Sequence, residues 1–442
     1  MTKAARYWIG IDLGTSGCRA IAVDAQGTPL AGSRVGLPPP RSSATGHSEQ
    51  APGLWWEAVR SVLRGLADQL PERRCVALAV DGTSSTLLLA AADGAPVGPA
   101  LMYNDRRAVA SAAAVAGPAP ADSPALGPSA SLAKLIHLAQ EHRTPRPLLA
   151  LHQADWVSGR LCGRYGYSDW NNALKLGFDA QRLVWPAWVR RLLPAGIALP
   201  RVLAPGTRIG ILAPGLAADL GLSPATLILA GTTDSTAAVI AAGAAHPGEA
   251  VSCLGSTLVL KVVCAHPLAA ARYGVYSQRL GSRWLAGGAS NSGGAVLLQH
   301  FTLSEVQELS LEIDANTTSG LDYYPLPGVG ERFPRPDPGL APRLDPRPAE
   351  RGRFLHGLLE GMAAIEAEGY RLLQRLGAPP PQLVLTTGGG SANPAWTRLR
   401  ERALGLPVIR AEHQEAAYGT ALLARSGSGA PTAAALNAKG RK

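Results

Sequence analysis

Residues 7–24 read YWIGIDLGTSGCRAIAVD, two apolar runs of strand length around a polar, Gly-rich turn. The pattern predicts a β-hairpin with Asp12, Leu13, Gly14, Thr15, Ser16 and Gly17 at its tip. Two glycines and two hydroxyls there bring backbone N–H groups and side-chain oxygens toward one place, an anion cradle fit for phosphate. Asp12 reaches such a phosphate only through a cation, directly or by way of a water. Mg²⁺ is the expected cation, because it takes oxygen ligands and bridges triphosphate oxygens. An ordinary hairpin with a Gly-Thr-Ser-Gly turn reads the same way, so the rest of the chain has to decide.

The chain's 442 residues exceed one ordinary core, and two domains are expected. At 46% hydrophobic residues both can be well packed. No segment has the form of a signal peptide or the apolar length of a membrane span, so a soluble protein without membrane association is expected. Five scattered cysteines without C-x-x-C spacing point to neither a disulfide framework nor a zinc site, and fit a reducing cytoplasm. The formal charge of +10 would mark a nucleic-acid partner only with Lys/Arg clustered on a stripe. The arginines are dispersed and aromatics make up 5%, so a solvated basic surface with a mild benefit for anionic substrates is the reading.

After the hairpin, Leu54, Ala58, Val59, Val62, Leu63 and Leu66 recur at helical spacing and predict a core-facing helix over 54–70. An apolar strand over 75–80 then ends in Asp81, Gly82, Thr83, Ser84, Ser85 and Thr86. Polar groups at the carboxyl end of a buried strand are where open α/β sheets bind ligands, though an Asx-turn has the same composition. A second such place is Asn104-Asp105-Arg106-Arg107. Ser131 reads as an N-cap for a helix over 132–142. The pieces Asp155-Trp156 and 168–172 suit either a sugar site or packing corners.

Residues 226–243, TLILAGTTDSTAAVIAAG, run from a buried strand through Gly231-Thr232-Thr233-Asp234-Ser235 into a small-residue helix. Asp234 therefore stands at a strand end beside a helix N-terminus, a comfortable place for a carboxylate whether it caps or reacts. Then the opening pattern returns: 250–263 reads AVSCLGSTLVLKVV. Laid over the first hairpin, Leu13-Gly14-Thr15-Ser16 meets Leu254-Gly255-Ser256-Thr257, and Asp12 meets Cys253. A duplicated domain with a phosphate hairpin in each copy, and the cation-side carboxylate only in the first, is the expectation. Farther on, a long helix over 354–376 precedes a strand over 383–387 and Gly388-Gly389-Gly390-Ser391-Ala392-Asn393, with Trp396 on the next helix. Consecutive glycines let a flat ligand lie against the backbone, and Asn393 and Trp396 offer polar and stacking contacts. An Ala-rich helix begins at 415 and a basic tail closes the chain.

The order of these motifs resembles the FGGY family of carbohydrate kinases, in the actin, hexokinase and chaperone ATPase superfamily, over nearly the whole length. The carrying pieces are IDLGTSGCRA at 11–20, the Trp55-Trp56 helix, NDRR at 104–107, AGTTDSTAAVIAAGA, CLGST, GER at 330–332, FLHGLLEG at 354–361, TTGGGSAN and AAYGTALLA. Within the family the chain is similar to the D-ribulose kinases, xylulose-kinase-like, of cyanobacteria and plants, through VDGTSST, SLAKL, QADW, NALKLG, GGASN and SGLDYYPLPGVGERFP. Xylulose kinases carry Gln-Met-His-Gly where this chain has Asp81-Gly82-Thr83-Ser84.

The resemblance implies an α/β fold of two RNase H-like domains with a ligand cleft between them. Residues 1–241, joined by a helix at 415–434, would form the sugar-side domain, 242–414 the nucleotide-side domain and 435–442 a tail. It implies Asp234 as catalytic base, Asp12 as the Mg²⁺-side carboxylate, and Asp12, Ser84 and Asp234 as sugar-side residues. It also implies Gly14, Thr15, Ser16, Gly255, Ser256 and Thr257 as phosphate hairpins, and Gly389, Gly390, Asn393 and Trp396 as the adenosine site. The activity expected is ATP- and Mg²⁺-dependent phosphorylation of a pentulose, D-ribulose first and D-xylulose or other pentuloses second, by a cytoplasmic monomer or homodimer. A non-catalytic ATP-binding switch of the same superfamily is the different-class alternative.

Overall fold

The computed structural model describes residues 5–71, 74–142 and 146–430. They form two compact units, Met1–Ala241 with Glu415–Lys442, and Ala242–Gln414. The expected tail at 435–442, and the part of 415–434 beyond residue 430, lie outside the described residues.

In the first unit β1 (Arg6–Leu13), β2 (Gly17–Val23) and β3 (Pro29–Gly36) form an antiparallel meander. Helix α1 (Pro52–Gln69) follows, and β4 (Arg74–Gly82) then pairs parallel with β1. Segments α2 (Ser131–Glu141), α3 (Gln153–Cys162) and β5 (Arg208–Ile211) lead to β6 (Leu227–Thr233), parallel to β4, and α4 (Asp234–Ala242). The sheet order is β5-β6-β4-β1-β2-β3. A second six-stranded sheet of the same unit is built from short strands including Leu87–Ala90, Ala100–Leu101 and Leu148–His152.

Helix α1 buries Trp55, Ala58, Val59, Val62, Leu63 and Leu66, a stripe at i, i+3, i+4, i+7, i+8 and i+11. Leu54, expected on that face, is 40% exposed, because the stripe starts one residue later at Trp55. Fully burying a large apolar side chain is worth roughly 1.5–3 kcal/mol. Trp55 gains this without stranding its N–H, which donates to Gln50 Oε1 at 2.6 Å.

The second unit repeats the plan. Strands β7 (Glu249–Leu254), β8 (Leu258–Cys264), β9 (Tyr276–Leu280) and β10 (Arg283–Ser290) are antiparallel neighbours. Helices α5 (Gly294–His300), α6 (Leu303–Ser310) and the long α7 (Arg351–Arg375) precede β11 (Leu383–Thr387), which pairs parallel with β7. Helix α8 (Pro394–Leu404) and β12 (Val408–Arg410) complete the order β9-β10-β8-β7-β11-β12. Each unit is thus RNase H-like: three antiparallel strands, then two parallel to the first, with one extra edge strand.

The chain returns to the first unit as α9 (Ala416–Gly427), seated on β1. A Cβ at Gly10 would stand 2.1 Å from Ala417 O, and one at Gly419 would stand 1.9 Å from Ala237 O. Bare backbone at both places lets α9 lie directly on β1 and α4. Among the described residues no helix is long and apolar enough to cross a membrane.

Candidate active site

Three neighbouring parallel strands of the first unit each carry a carboxylate at or just beyond their carboxyl end. Register sets Asp12 of β1 level with Asp81 of β4, and Asp81 level with Thr232 of β6, two residues before Asp234. The ladder shifts between Leu229 and Thr232, where a Cβ at Gly231 would lie 1.7 Å from Val80 O. Only glycine lets β6 close onto β4 there.

Asp81 is fully buried and accepts from Thr420 Oγ1 of α9 at 2.5 Å. Burial, then the charge of Asp12, push its carboxyl well above the ordinary range; the Thr420 hydrogen bond opposes this and Asp234 adds to it. Asp81 stands level with Asp12 on the neighbouring strand, so the two carboxyl groups face the same strand end. With both ionised neither can donate, and Asp81 Oδ1 is left without a partner. A shared proton or a nearby cation resolves that conflict.

The sequence places Asp12 at the hairpin tip as a cation ligand, which predicts an exposed side chain. It is instead 7% exposed inside β1, where cross-strand pairing puts Arg19 opposite and Arg19 Nη1 donates to Asp12 Oδ2 at 3.0 Å. Among the described residues no three acidic, imidazole or thiol side chains converge as a ready-made metal site. One or two carboxylates are nevertheless what Mg²⁺ takes from a protein when phosphates and waters complete its shell. The buried, unpaired oxygen of Asp81 beside Asp12 fits that role.

Asp234 is half-buried at the first residue of α4, and its Oδ1 accepts from Ser235 N at 2.6 Å. The hydroxyls of Thr233 and Thr236 pair at 3.0 Å beneath it. Ser84 follows β4, half-buried, in a turn closed by Thr86 N donating to Thr83 O at 3.2 Å. At the tip of the first hairpin Gly14 N donates to Gly17 O at 3.0 Å, leaving Gly14 and Thr15 half-buried and Ser16 exposed.

Two first-unit expectations need correcting. Ser131 is not an N-cap: the cap position is Ala130, and the buried Ser131 hydroxyl donates to Ser85 Oγ and meets His152 Nε2, each at 3.2 Å. In the NDRR stretch Asp105 is fully buried and Arg107 nearly so. Asp105 accepts from Ser48 N at 2.6 Å and from Arg107, whose Nη2 also reaches Glu49 at 2.9 Å. Only Asn104 and Arg106 of the four face solvent.

In the second unit the expected nucleotide residues line one cavity of about 590 Å³. Gly255, Ser256, Gly389, Gly390, Asn393 and Trp396 meet Leu297, Leu298, Leu303, Val306 and Leu311 of α5, α6 and the turn beyond. Thr257 is absent from that lining and faces an adjoining hollow with Ser256, Asn291 and Gly330. The hairpin carbonyls of Gly255 and Ser256 accept from Gly294 N and Ala295 N at 2.8 and 3.1 Å, fixing the tip to the start of α5. Asn393 does not offer its amide to the cavity: Oδ1 caps α8 through Trp396 N at 3.0 Å, and Nδ2 donates to Ser310 Oγ at 2.8 Å. Trp396 is 3% exposed, its ring 2.4 Å from where a Cβ on Gly390 would stand. It forms the floor of the cavity under bare glycine backbone.

Below that floor a buried Arg400–Glu366 pair (2.5 and 2.7 Å) ties α8 to α7. Arg400 also donates to Thr386 of β11 and Ser252 of β7 donates to Glu366, so one ion pair locks the strands that carry both glycine-rich turns.

The sequence reading missed Asp81 as part of the carboxylate group, Thr420 as its partner, and the leucines of α5 and α6. The last stand out only in the structure: Leu298, Leu303 and Leu311 are more than half exposed, and the cavity wall accounts for them.

Comparison with known proteins agrees with this architecture. The chain is 29% identical over 442 residues to a xylulose kinase of Streptomyces coelicolor, covering 92% of this chain and 85% of that one. It is 25% identical over 414 residues to the xylulose kinase of Escherichia coli, covering 89% and 84%. The solved structure of a "xyloylose kinase" from Brucella ovis superposes with a TM-score of 0.86 at 23% identity, over 97% of this chain and 91% of that one. The N-terminal domain of the FGGY family of carbohydrate kinases matches residues 7–241 and its C-terminal domain matches 250–427, so the chain belongs to that family.

Proposed function

We propose that this carbohydrate kinase transfers the γ-phosphoryl group of ATP to the 5-hydroxyl of D-ribulose, giving D-ribulose 5-phosphate and ADP. The observation that carries the reading is the trio Asp12, Asp81 and Asp234 at adjacent strand ends of one unit, with a largely apolar cavity floored by Trp396 and lined by bare glycine backbone in the other. Asp234, half-buried and oriented by Ser235 N, would hold the sugar hydroxyl and take its proton as the oxygen bonds to the γ-phosphorus. The bond from that phosphorus to the β–γ bridging oxygen breaks, and ADP leaves. Asp12, with Asp81 beside it, would hold Mg²⁺ directly or through water. The ion supplies charge neutralisation at the phosphates. Ser84 would contact a sugar hydroxyl, and the hairpin tips at 14–16 and 255–257 the phosphates.

The choice of D-ribulose rests on the Asp81-Gly82-Thr83-Ser84 segment and the other stretches similar to D-ribulose kinases. D-xylulose or a broader pentulose range is the second reading, favoured by the relatives named xylulose kinase. A coupled ADP-release assay with D-ribulose, D-xylulose, L-ribulose, glycerol and no sugar separates them. Highest kcat/KM with D-ribulose is expected, a preference for D-xylulose would favour the second reading, and ATP hydrolysis indifferent to sugar would favour an ATP-binding switch.

A further inference from the structure

Two loops of the first unit, one carrying the candidate sugar contact Ser84 and the other the exposed Asn104 and Arg106, are joined by one buried lysine. Segment 83–86 connects β4 to the strand Leu87–Ala90 and carries Ser84. Segment 102–107 follows the strand Ala100–Leu101 and carries the exposed Asn104 and Arg106. Lys134 of α2 is 0% exposed and donates to Ser85 O at 2.9 Å, Met102 O at 2.6 Å and Tyr103 O at 3.3 Å. An ammonium has three N–H donors and no acceptor, so this one is fully used, and it is shared between the loops.

The first loop needs holding. Ser85 sits at φ 78°, in the left-handed region that a serine enters only when its surroundings enforce it. Its hydroxyl donates to Ser129 O at 2.6 Å, Ser131 donates to it at 3.2 Å, and Gln153 Oε1 accepts from Thr83 N and Oγ1 at 3.0 Å. A lysine placed merely to fill this core would run its head out to water, and an apolar side chain would fill the space without bringing a charge inside.

Resting on the pentulose-kinase reading above, we propose that Lys134 is a positioning residue for the sugar, fixing Ser84 relative to Asn104 and Arg106 and thereby setting sugar affinity. Burial pulls its ammonium down to about 7, with Asp105 opposing and Lys175 and Arg107 adding to the shift. Among the described residues the other charged groups around it are Glu49, paired with Arg107, His137 and Glu141, paired on α2 itself, and the His152–Asp155 pair behind Ser131. The helix Val109–Ala116 and the strand Leu87–Ala90 bring no charge. A neutral amine keeps two donors for three carbonyls, so the tie slackens as the proton leaves.

Steady-state kinetics of wild type, Lys134→Met and Lys134→Arg with ATP and each ketose, below and above pH 7, test this. In Lys134→Met the sugar KM is expected to rise about tenfold or more while the ATP KM stays put, the scale of a misplaced substrate-positioning group. Hydrogen exchange at 83–86 and 102–107 should lose protection together in this variant. Lys134→Arg, which keeps the charge, should recover part of the sugar KM and show no rise above pH 7, whereas the wild-type sugar KM should climb there. If Lys134→Met does not fold, that wild-type and Lys134→Arg contrast in pH profile carries the test. Sugar and ATP KM values rising together, or identical pH profiles, would overturn the proposal. A wild type that phosphorylates none of the ketoses overturns the functional reading and the proposal with it; an active wild type with an unmoved sugar KM in Lys134→Met overturns the proposal alone.

Discussion

In the first unit the central strand β1 carries Asp12, level with Asp81 of β4; in the second, the matching strand β7 carries Cys253, level with Thr387 of β11. The strand orders correspond, and each central strand turns through a Gly-hydroxyl tip into its antiparallel neighbour. The contents of the strand ends do not correspond. One unit collects carboxylates there, at the cost of a buried Asp81 held with Thr420 from the far end of the chain. The other leaves its strand ends neutral and buries the Arg400–Glu366 pair underneath, and leucines and glycines make up most of the cavity wall. One scaffold therefore carries two chemistries, and the difference lies in which strand-end positions bear carboxyl groups.

The sharpest break of this comparison is Asp234→Asn. It keeps the shape and most hydrogen bonds but removes proton acceptance, so turnover with D-ribulose should fall by roughly 10²–10⁴-fold while ATP still binds. Were Asp234 only completing a helix start, Asn would serve as well, and both rate and thermal melt would be nearly silent. A fully active variant removes the residue from the mechanism.

Next in size is Arg400→Met in the second unit. Glu366 would remain buried and charged without its partner, which costs about 3–5 kcal/mol. Urea unfolding reads the loss directly, and the double variant Arg400→Met/Glu366→Gln should recover a large part of it. Equal stability of wild type and Arg400→Met would show that the pair does not lock β7 and β11.

Asp12→Asn addresses the position at which the two units diverge. If Asp12 holds the ion through a water, the Mg²⁺ needed for half-maximal activity should rise by about 10–100-fold, the usual effect of an outer ligand, with the fold retained by circular dichroism. An unchanged Mg²⁺ titration would reject the assignment.

Much of the scaffold is legible in the residues. The 7–24 hairpin, the strands ending at Asp81, Asp234 and Gly388, and the echo at 253–257 all follow from local pattern, because strand length, turn glycines and helix starts are written within a few residues. What stays hidden depends on pairing across distance. That Asp81 faces Asp12 needs the register of β4 on β1, set after an intervening helix, and Thr420 arrives from α9, more than three hundred residues later. Lys134 reads as an ordinary polar position of an amphipathic helix until the two loops close over it. Asn393 and Trp396 have the expected types in the expected place, yet capping claims the amide and the bare backbone of Gly390 packs against the ring.

That covered ring leads to the smallest effect. Trp396 contacts the cavity through Gly390, whose missing Cβ leaves the indole as the floor on which a flat base would rest. Trp396→Phe keeps an apolar ring at that depth but leaves part of the floor unfilled, without removing any polar contact, since the indole N–H has no partner among the described residues. ATP affinity should weaken by about 1 kcal/mol, roughly fivefold, on the scale of one aromatic contact. D-Ribulose affinity should not move, because the residues proposed for the sugar belong to the other unit. Calorimetric titration of both ligands reads the contrast. Gly390→Ala should act in the same direction, since its new Cβ would press on the ring and, at 2.8 Å, on Leu254 Cβ. Equal losses for ATP and sugar in Trp396→Phe would mean that the ring supports the fold of the whole chain and does not serve as a nucleotide floor.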